Sequence, residues 1–219
     1  AEAQRAKRLI DEVNPFIGTS NFGTTNPGAV VPNGLMSITP FNVSGSPELN
    51  KFDKDKRWWS TPYTADNKFF SGFSHVNLSG VGCPELGSII VSASSGDLDV
   101  DYTHYGSAMS HEQAHPGYYS VELDKHKIKA EVTATQRTAI SAFTFERGGK
   151  SNILVNLGLG LTNESGATVR FLNDSTIVGS KLMGTFCYAP QAVFNQYFAI
   201  RISRRAPASG YWKKQPPME

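Results

Sequence analysis

The sequence predicts a mainly β protein: an antiparallel β-sandwich with a long irregular N-terminal third and a C-terminal end that looks incomplete. Three observations carry this. From about residue 85 onward, short runs alternate apolar and polar residues with period two. Glycine-rich turn residues separate those runs. No stretch sustains helical periodicity over three turns, which leaves a sandwich or barrel as the architecture.

Taken in order, Ala1 to Glu12 is charged and alanine-rich, lacks an apolar signal core, and suits one or two helical turns. Asn14 to Asp66 is rich in Pro, Gly, Asn, Ser and Thr, with one short apolar run at Gly34–Thr39. It also carries Phe16, Phe22, Phe41, Phe52, Trp58, Trp59 and Tyr63, so it is expected to be packed, and a long irregular segment of this kind is commonly functional. Phe69 to Cys83 shows neither period. Tyr119, Val121 and Leu123 alternate as a strand, Asp124–His126 reads as the following turn, and in Lys127–Ala134 the residues Ile128, Ala130, Val132 and Ala134 share one face. Ala139–Glu146 and Ser151–Leu157 read as strands joined in a hairpin by Arg147-Gly148-Gly149-Lys150. Phe198, Ile200 and Ile202 alternate with Tyr197, Ala199 and Arg201 in a last strand. No closing element follows Ala206–Gly210, and a sheet left there would expose an unpaired edge. The expectation is one domain, residues 1–219, that is a segment of something longer or is completed by another polypeptide.

With 219 residues, 39% hydrophobic and 18% charged, the chain has the composition of a globular protein with a substantial core. A formal net charge of +2 without a long basic run argues against nucleic acid, and Arg204, Arg205, Lys213 and Lys214 read as a solvated tail. No apolar run approaches the roughly 18–20 residues of a membrane span. Two cysteines, Cys83 and Cys187, are expected as separate thiols, with a disulfide between them as the alternative.

Phe69 to Cys83 is the segment most suggestive of a site. Glycines at 80 and 82 permit close backbone approach, the polar groups suit a hydroxylated ligand, and the aromatics offer a flat apolar face. Trp58 and Trp59, beside Arg57 and Tyr63, suggest a sugar-stacking surface with a polar rim. His75 is read either as a pocket residue or as a hydrogen-bonding structural one. No Ser/His/Asp or Cys/His spacing defines a nucleophile with its base. Asp97, Asp99 and Asp101 would share one face of an extended segment, where calcium binding competes with plain solvent exposure. His104, His111 and His115, near Glu112, lack a zinc spacing. Two carboxyls could serve glycoside hydrolysis, but Glu48, Asp53, Asp55, Asp66 and Glu85 cannot be paired from sequence.

Four stretches together resemble the N-terminal domain of the family 92 glycoside hydrolases, calcium-dependent exo-acting α-mannosidases. They are Val13–Thr19 with Asn26–Ala29 and Val31–Gly34; Gly72–His75 with Leu78–Cys83; His115–Val121 with Ala130–Arg137; and Phe194–Tyr197. The resemblance implies a β-sandwich packed on a helical catalytic domain outside this chain, with the active site between them and no catalytic acid or base here. It implies inverting hydrolysis of α-mannoside glycans, calcium held mainly by residues outside this chain, and a periplasmic, cell-surface or secreted location, bacterial in origin. Residues carried over as substrate contacts are Trp58 or Trp59 for the sugar next to the cleaved bond, with His75, Ser79, Gly80 and Cys83 lining the pocket wall. Ser20–Thr25 lacks the histidines many relatives show there, and Glu85 stands where they often have Asp. The alternatives are a stand-alone carbohydrate-binding sandwich without catalysis, and a structural or interaction sandwich whose aromatics are all core.

Overall fold

The computed structural model describes residues 8–21, 23–43, 60–101, 104–146, 148–161, 165–184 and 193–213. They form thirteen strands and one short 3-10 turn at Leu9–Glu12. The first five-stranded antiparallel sheet runs β1 (Ala29–Val30), β2 (Ser37–Phe41), β4 (Gly72–Asn77), β5 (Leu86–Ser95) and β10 (Ser151–Asn156), in that spatial order. The second, also antiparallel, runs β3 (Phe69–Phe70), β6 (Ser107–His115), β7 (Tyr118–Leu123), β8 (Ile128–Ala134) and β9 (Ala139–Phe145). A three-stranded sheet, β11 (Ser165–Asn173), β12 (Thr176–Gly184) and β13 (Val193–Arg201), stands beside them.

The core lies between the two five-stranded sheets. Ile38, Phe73 and Ala93 from one face meet Met109, Tyr119, Val121, Ile128, Ala130 and Val132 from the other. Phe73 sits edge-on to Phe70 at 4.9 Å and to Tyr119 at 6.1 Å, geometries that match the positive ring edge to the negative face. β8 buries Ile128, Ala130, Val132 and Ala134 while the residues between them face outward, the period-two pattern expected of it. All five residues of β2 are buried because a second cluster, Phe41, Val43 and Ile90 under Leu159 and Leu161, covers the first sheet's other face.

Two expectations need correction. Arg147–Lys150 does not close a hairpin: β9 ends one sheet and β10 begins in the other, paired with β5 from Ser151↔Ser95 to Asn156↔Ile90. Turn chemistry is the same for a hairpin and for a crossover between layers, so local residues could not distinguish them. Gly72–Asn77, read as aperiodic, is a strand in the middle of its sheet. Both of its faces are covered at Gly72, Phe73 and Ser74, and its ladder is interrupted, so no alternation reaches the sequence.

Candidate functional site

His75 pairs with Ile38 of β2 and Ser88 of β5, and the register slips between Phe73 and His75. Around that slip the backbone is unusual. Val76 (φ 57°), Leu86 (φ 61°), Gly87 (φ 61°) and Ile89 (φ 52°) all occupy the left-handed region. For β-branched Val76 and Ile89 this is a strained state, costing about 1–3 kcal/mol each, and such strain concentrates at functional sites. The half-buried His75 ring has Nδ1 2.7 Å from the Ile89 carbonyl oxygen. A carbonyl only accepts, so Nδ1 carries the proton and Nε2 is left as the acceptor. Burial lowers the His75 pKa and the Ile89 bond partly opposes it, which favours the neutral ring.

The loop that follows is tied down at several points. Asn26 Nδ2 donates to the Leu78 carbonyl at 3.2 Å, and Gly80 N–H donates to the Thr24 carbonyl at 2.7 Å. Ser79 and Gly80 are exposed. Gly80 has φ +77°, and a Cβ there, or at Gly82, would meet nothing within 4 Å, so the outer side of the loop is open. Ser88 Oγ donates to Gln196 Oε1 of β13 at 2.7 Å, joining the strand opposite His75 to the three-stranded sheet. Ser88 and Gln196 were given no role from sequence. Gln196 lies in the fourth resembling stretch, but only the tertiary contact marks it.

Of the residues singled out, His75 lies in β4, and Ser79, Gly80 and Cys83 lie in the β4–β5 connection that follows it. Cys83 is half-buried and disulfide-bonded, which overturns the expectation of separate thiols; the chain's other cysteine, Cys187, lies outside the described residues. So do Trp58, Trp59 and Arg57. Tyr63 does not form a sugar-facing rim: it is wholly buried, and its hydroxyl donates to Glu112 Oε2 at 2.8 Å. Glu85, considered above as one of a pair of catalytic carboxyls, is buried.

Glu112 centres a separate polar cluster. Tyr119 also donates to its Oε2 at 2.8 Å, and Lys68 Nζ donates to Oε1 at 2.7 Å. Two β6 residues, His111 and Glu112, stand between the pairs Ser110↔Glu122 and Gln113↔Ser120, where one would fit, and His111 has φ 49°. This bulge lets Glu112 reach the buried tyrosines. Burial, together with the Glu112 charge, pushes both tyrosine pKa values far up, so the phenols stay protonated donors. The cluster is fully partnered and reads as structural.

The calcium implied by the resemblance finds no fitting donor set here: among the described residues no group of three or more His, Cys, Asp or Glu side chains could hold a metal ion. Asp97, Asp99 and Asp101 lie in the loop after β5, not on an extended face. Asp97 pairs with Lys150 at 2.6 Å, and Asp99 and Asp101 flank His104 at 3.5 and 3.7 Å. A shallow depression of about 460 Å³ lies on the three-stranded sheet, lined by Thr168, Val169, Arg170, Val178, Gly179, Ser180, Tyr197 and Phe198. None of His75, Ser79, Gly80 and Cys83 lines it.

The described residues thus form a β-sandwich with an open polar loop between two strands that carry left-handed backbone. Comparison with known proteins gives the family. Residues 12–219 match the glycosyl hydrolase family 92 N-terminal domain, and the chain belongs to that family. A family 92 α-mannosidase from Bacteroides thetaiotaomicron is 30% identical, with a TM-score of 0.79, over 91% of this chain. The family 92 glycosyl hydrolase ccman5 is 25% identical, with a TM-score of 0.67, over 87%. An uncharacterized secreted glycosidase of Arthroderma benhamiae is 28% identical over 167 residues, 70% of this chain. The chain spans 26% of each of those two structures and 20% of the fungal relative.

Proposed function

We propose that this chain is the N-terminal domain of a secreted exo-acting α-mannosidase and supplies one wall of the pocket for a terminal α-mannoside. His75, Ser79 and Gly80 line that wall, and Cys83 holds it through its disulfide. Trp58 or Trp59 stacks on the sugar next to the cleaved bond. The observation that carries the reading is the fixed tautomer of His75: with Nδ1–H held by Ile89, Nε2 can accept a hydrogen bond from a sugar hydroxyl. The Ser79 hydroxyl and the open backbone at Gly80 lie on the same β4–β5 connection. The Bacteroides relative has been solved with mannoimidazole, which supports a mannoside as the ligand class.

The general acid and base are assigned to the helical catalytic domain, and so, mainly, are the calcium ligands. Inverting hydrolysis requires a base-activated water on the face opposite the leaving group, with carboxyls spaced to admit it. The role of this domain is then to orient the terminal sugar against that pair and to exclude bulk water from one side. A disulfide at Cys83 fits an oxidising compartment, and the fungal relative is described as secreted. No helix among the described residues is long and apolar enough to cross a membrane.

The test is hydrolysis of an α-mannoside by the full-length enzyme carrying Trp58→Ala, Trp59→Ala or His75→Ala. Loss of a pocket contact is expected to lower kcat/KM by about 10- to 100-fold, or ~1–3 kcal/mol. Wild-type kcat/KM in all three variants would refute the assignment. Tight binding of methyl α-mannoside to this chain alone, measured by calorimetry, would instead favour a stand-alone binding module.

A further inference from the structure

His75 and the exposed loop are aimed by a residue that sequence patterning did not single out. Asn77 ends β4, two residues beyond His75 and past the register slip between Phe73 and His75, and it adds side-chain bonds to the ladder. Its N–H donates to Ser37 Oγ at 2.7 Å, and Ser37 Oγ donates back to the Asn77 carbonyl at 3.2 Å. Its Nδ2 donates to the Ser37 carbonyl at 3.2 Å and to the Ser74 carbonyl at 3.1 Å, while its Oδ1 accepts from Ser74 Oγ at 2.7 Å. Both amide protons and the amide oxygen are therefore used, on Ser74, two residues before Val76, and on Ser37 of the neighbouring β2. Val76 is held at φ 57°, a conformation a β-branched residue leaves unless its neighbours fix it. His75 precedes it and Leu78–Gly80 follow it. A flip at Val76 would turn the imidazole away on one side and the loop on the other.

The geometry points to Asn77 as a positioning residue for the mannoside pocket, which locks the strained Val76 turn so that His75 Nε2 and the Ser79–Gly80 loop face one sugar ring together. This rests on the reading of His75 as a substrate contact. Asn77 acts through its neighbours and touches no reacting atom. Asp at this position keeps the acceptor and loses both side-chain donors; Ala loses all three side-chain bonds.

The experiment uses the full-length enzyme with Asn77→Ala, Asn77→Asp, His75→Ala and the double variant His75→Ala/Asn77→Ala. Hydrolysis of 4-nitrophenyl α-mannoside and thermal melting are read for each. A tenfold or larger fall in kcat/KM is expected for Asn77→Ala, a smaller one for Asn77→Asp, and a clearly smaller fall than in the wild-type background when Asn77→Ala is added to His75→Ala, where only the Ser79–Gly80 loop is left to misplace. That non-additivity separates positioning of His75 from general damage, whose effects would multiply. Near-wild-type activity in Asn77→Ala, or multiplying losses in the double variant, overturns the proposal. If Asn77→Ala does not fold, Asn77→Asp decides, because it keeps the acceptor for Ser74 Oγ and loses both side-chain donors. Wild-type kcat/KM in a folded Asn77→Asp overturns the proposal. If His75→Ala is harmless, the pocket reading falls. If His75→Ala is damaging and Asn77→Ala is harmless, only the positioning role falls.

Discussion

His126 is held neutral by two contacts of opposite kind. Its Nε2 faces the Tyr105 carbonyl at 2.7 Å and so carries the proton, while Nδ1 accepts from Ser95 N–H at 3.4 Å. Burial lowers its pKa from the ordinary 6.5, with the Tyr105 bond opposing and the Lys125 charge adding to the fall. The unfolded chain therefore takes up this proton at a higher pH than the folded one does. The stability is fully present above about pH 6.5 and is lost as pH falls through the folded value; His75, also lowered, acts in the same direction. Thermal melts between pH 8 and 5 should show a shallower decline for His126→Gln than for wild type, and parallel curves would discount the linkage. Glu112 gives a second residue-scale test. Glu112→Ala leaves the buried Tyr63 and Tyr119 hydroxyls without their acceptor and should cost roughly 2–4 kcal/mol in urea unfolding, whereas Tyr63→Phe removes one donor and should cost about 1 kcal/mol. Equal costs would mean the carboxylate is not the hub.

At the scale of elements, departures from regular strand geometry matter more than strand propensity. β4 and β6 each break their ladder, at His75 and at His111–Glu112, and each break places a part-buried polar side chain, His75 or Glu112, that a regular alternation would have turned elsewhere. Gly179 in β12 marks the opposite case, a strand kept regular by having no side chain. A Cβ there would lie 2.1 Å from the Thr168 carbonyl on β11 and 2.6 Å from Phe198 Cζ on β13. Gly179→Ala should therefore strain both pairings and cost about 1–3 kcal/mol. Gly148→Ala, which meets nothing within 4 Å, should stay within about 0.5 kcal/mol. Equal melting temperatures for the two variants would contradict the packing described.

At the scale of the whole molecule, the stability rests on apolar residues shared between two sheets and on one covalent tie. The sandwich core draws on strands from across the chain, from Ala29 to Ala134. The three-stranded sheet joins the first sheet through polar contacts such as Ser88 to Gln196, and Lys181 Nζ donates to the Leu159 carbonyl at 3.2 Å. The Cys83 disulfide fixes the end of the site loop. Its reduction should lower stability by about 2–4 kcal/mol, read as a drop in melting temperature with a reductant present. Two titratable thiols in unreduced, denatured protein would show that the bond is not formed.

The period-two runs were legible because burial on one face writes itself directly into residue type. β7, β8 and β13 follow their patterns, and the sandwich class follows from them. The polar residues of Gly72–Cys83 were legible as a cluster; that the first six residues of the stretch form a strand, β4, was not. Sequence could not assign β10 to β5, because a turn's residues do not record which sheet the chain enters next. It could not orient His75 or reveal Asn77, because left-handed backbone at Val76 and Ile89 is imposed by neighbours distant in the chain, against those residues' own preference. Residue type determined the strands that bury one face, and where polar chemistry collects. Tertiary packing alone decided which strands meet, which ring nitrogen is free, and which hydroxyls are buried, since each depends on contacts between residues far apart in sequence.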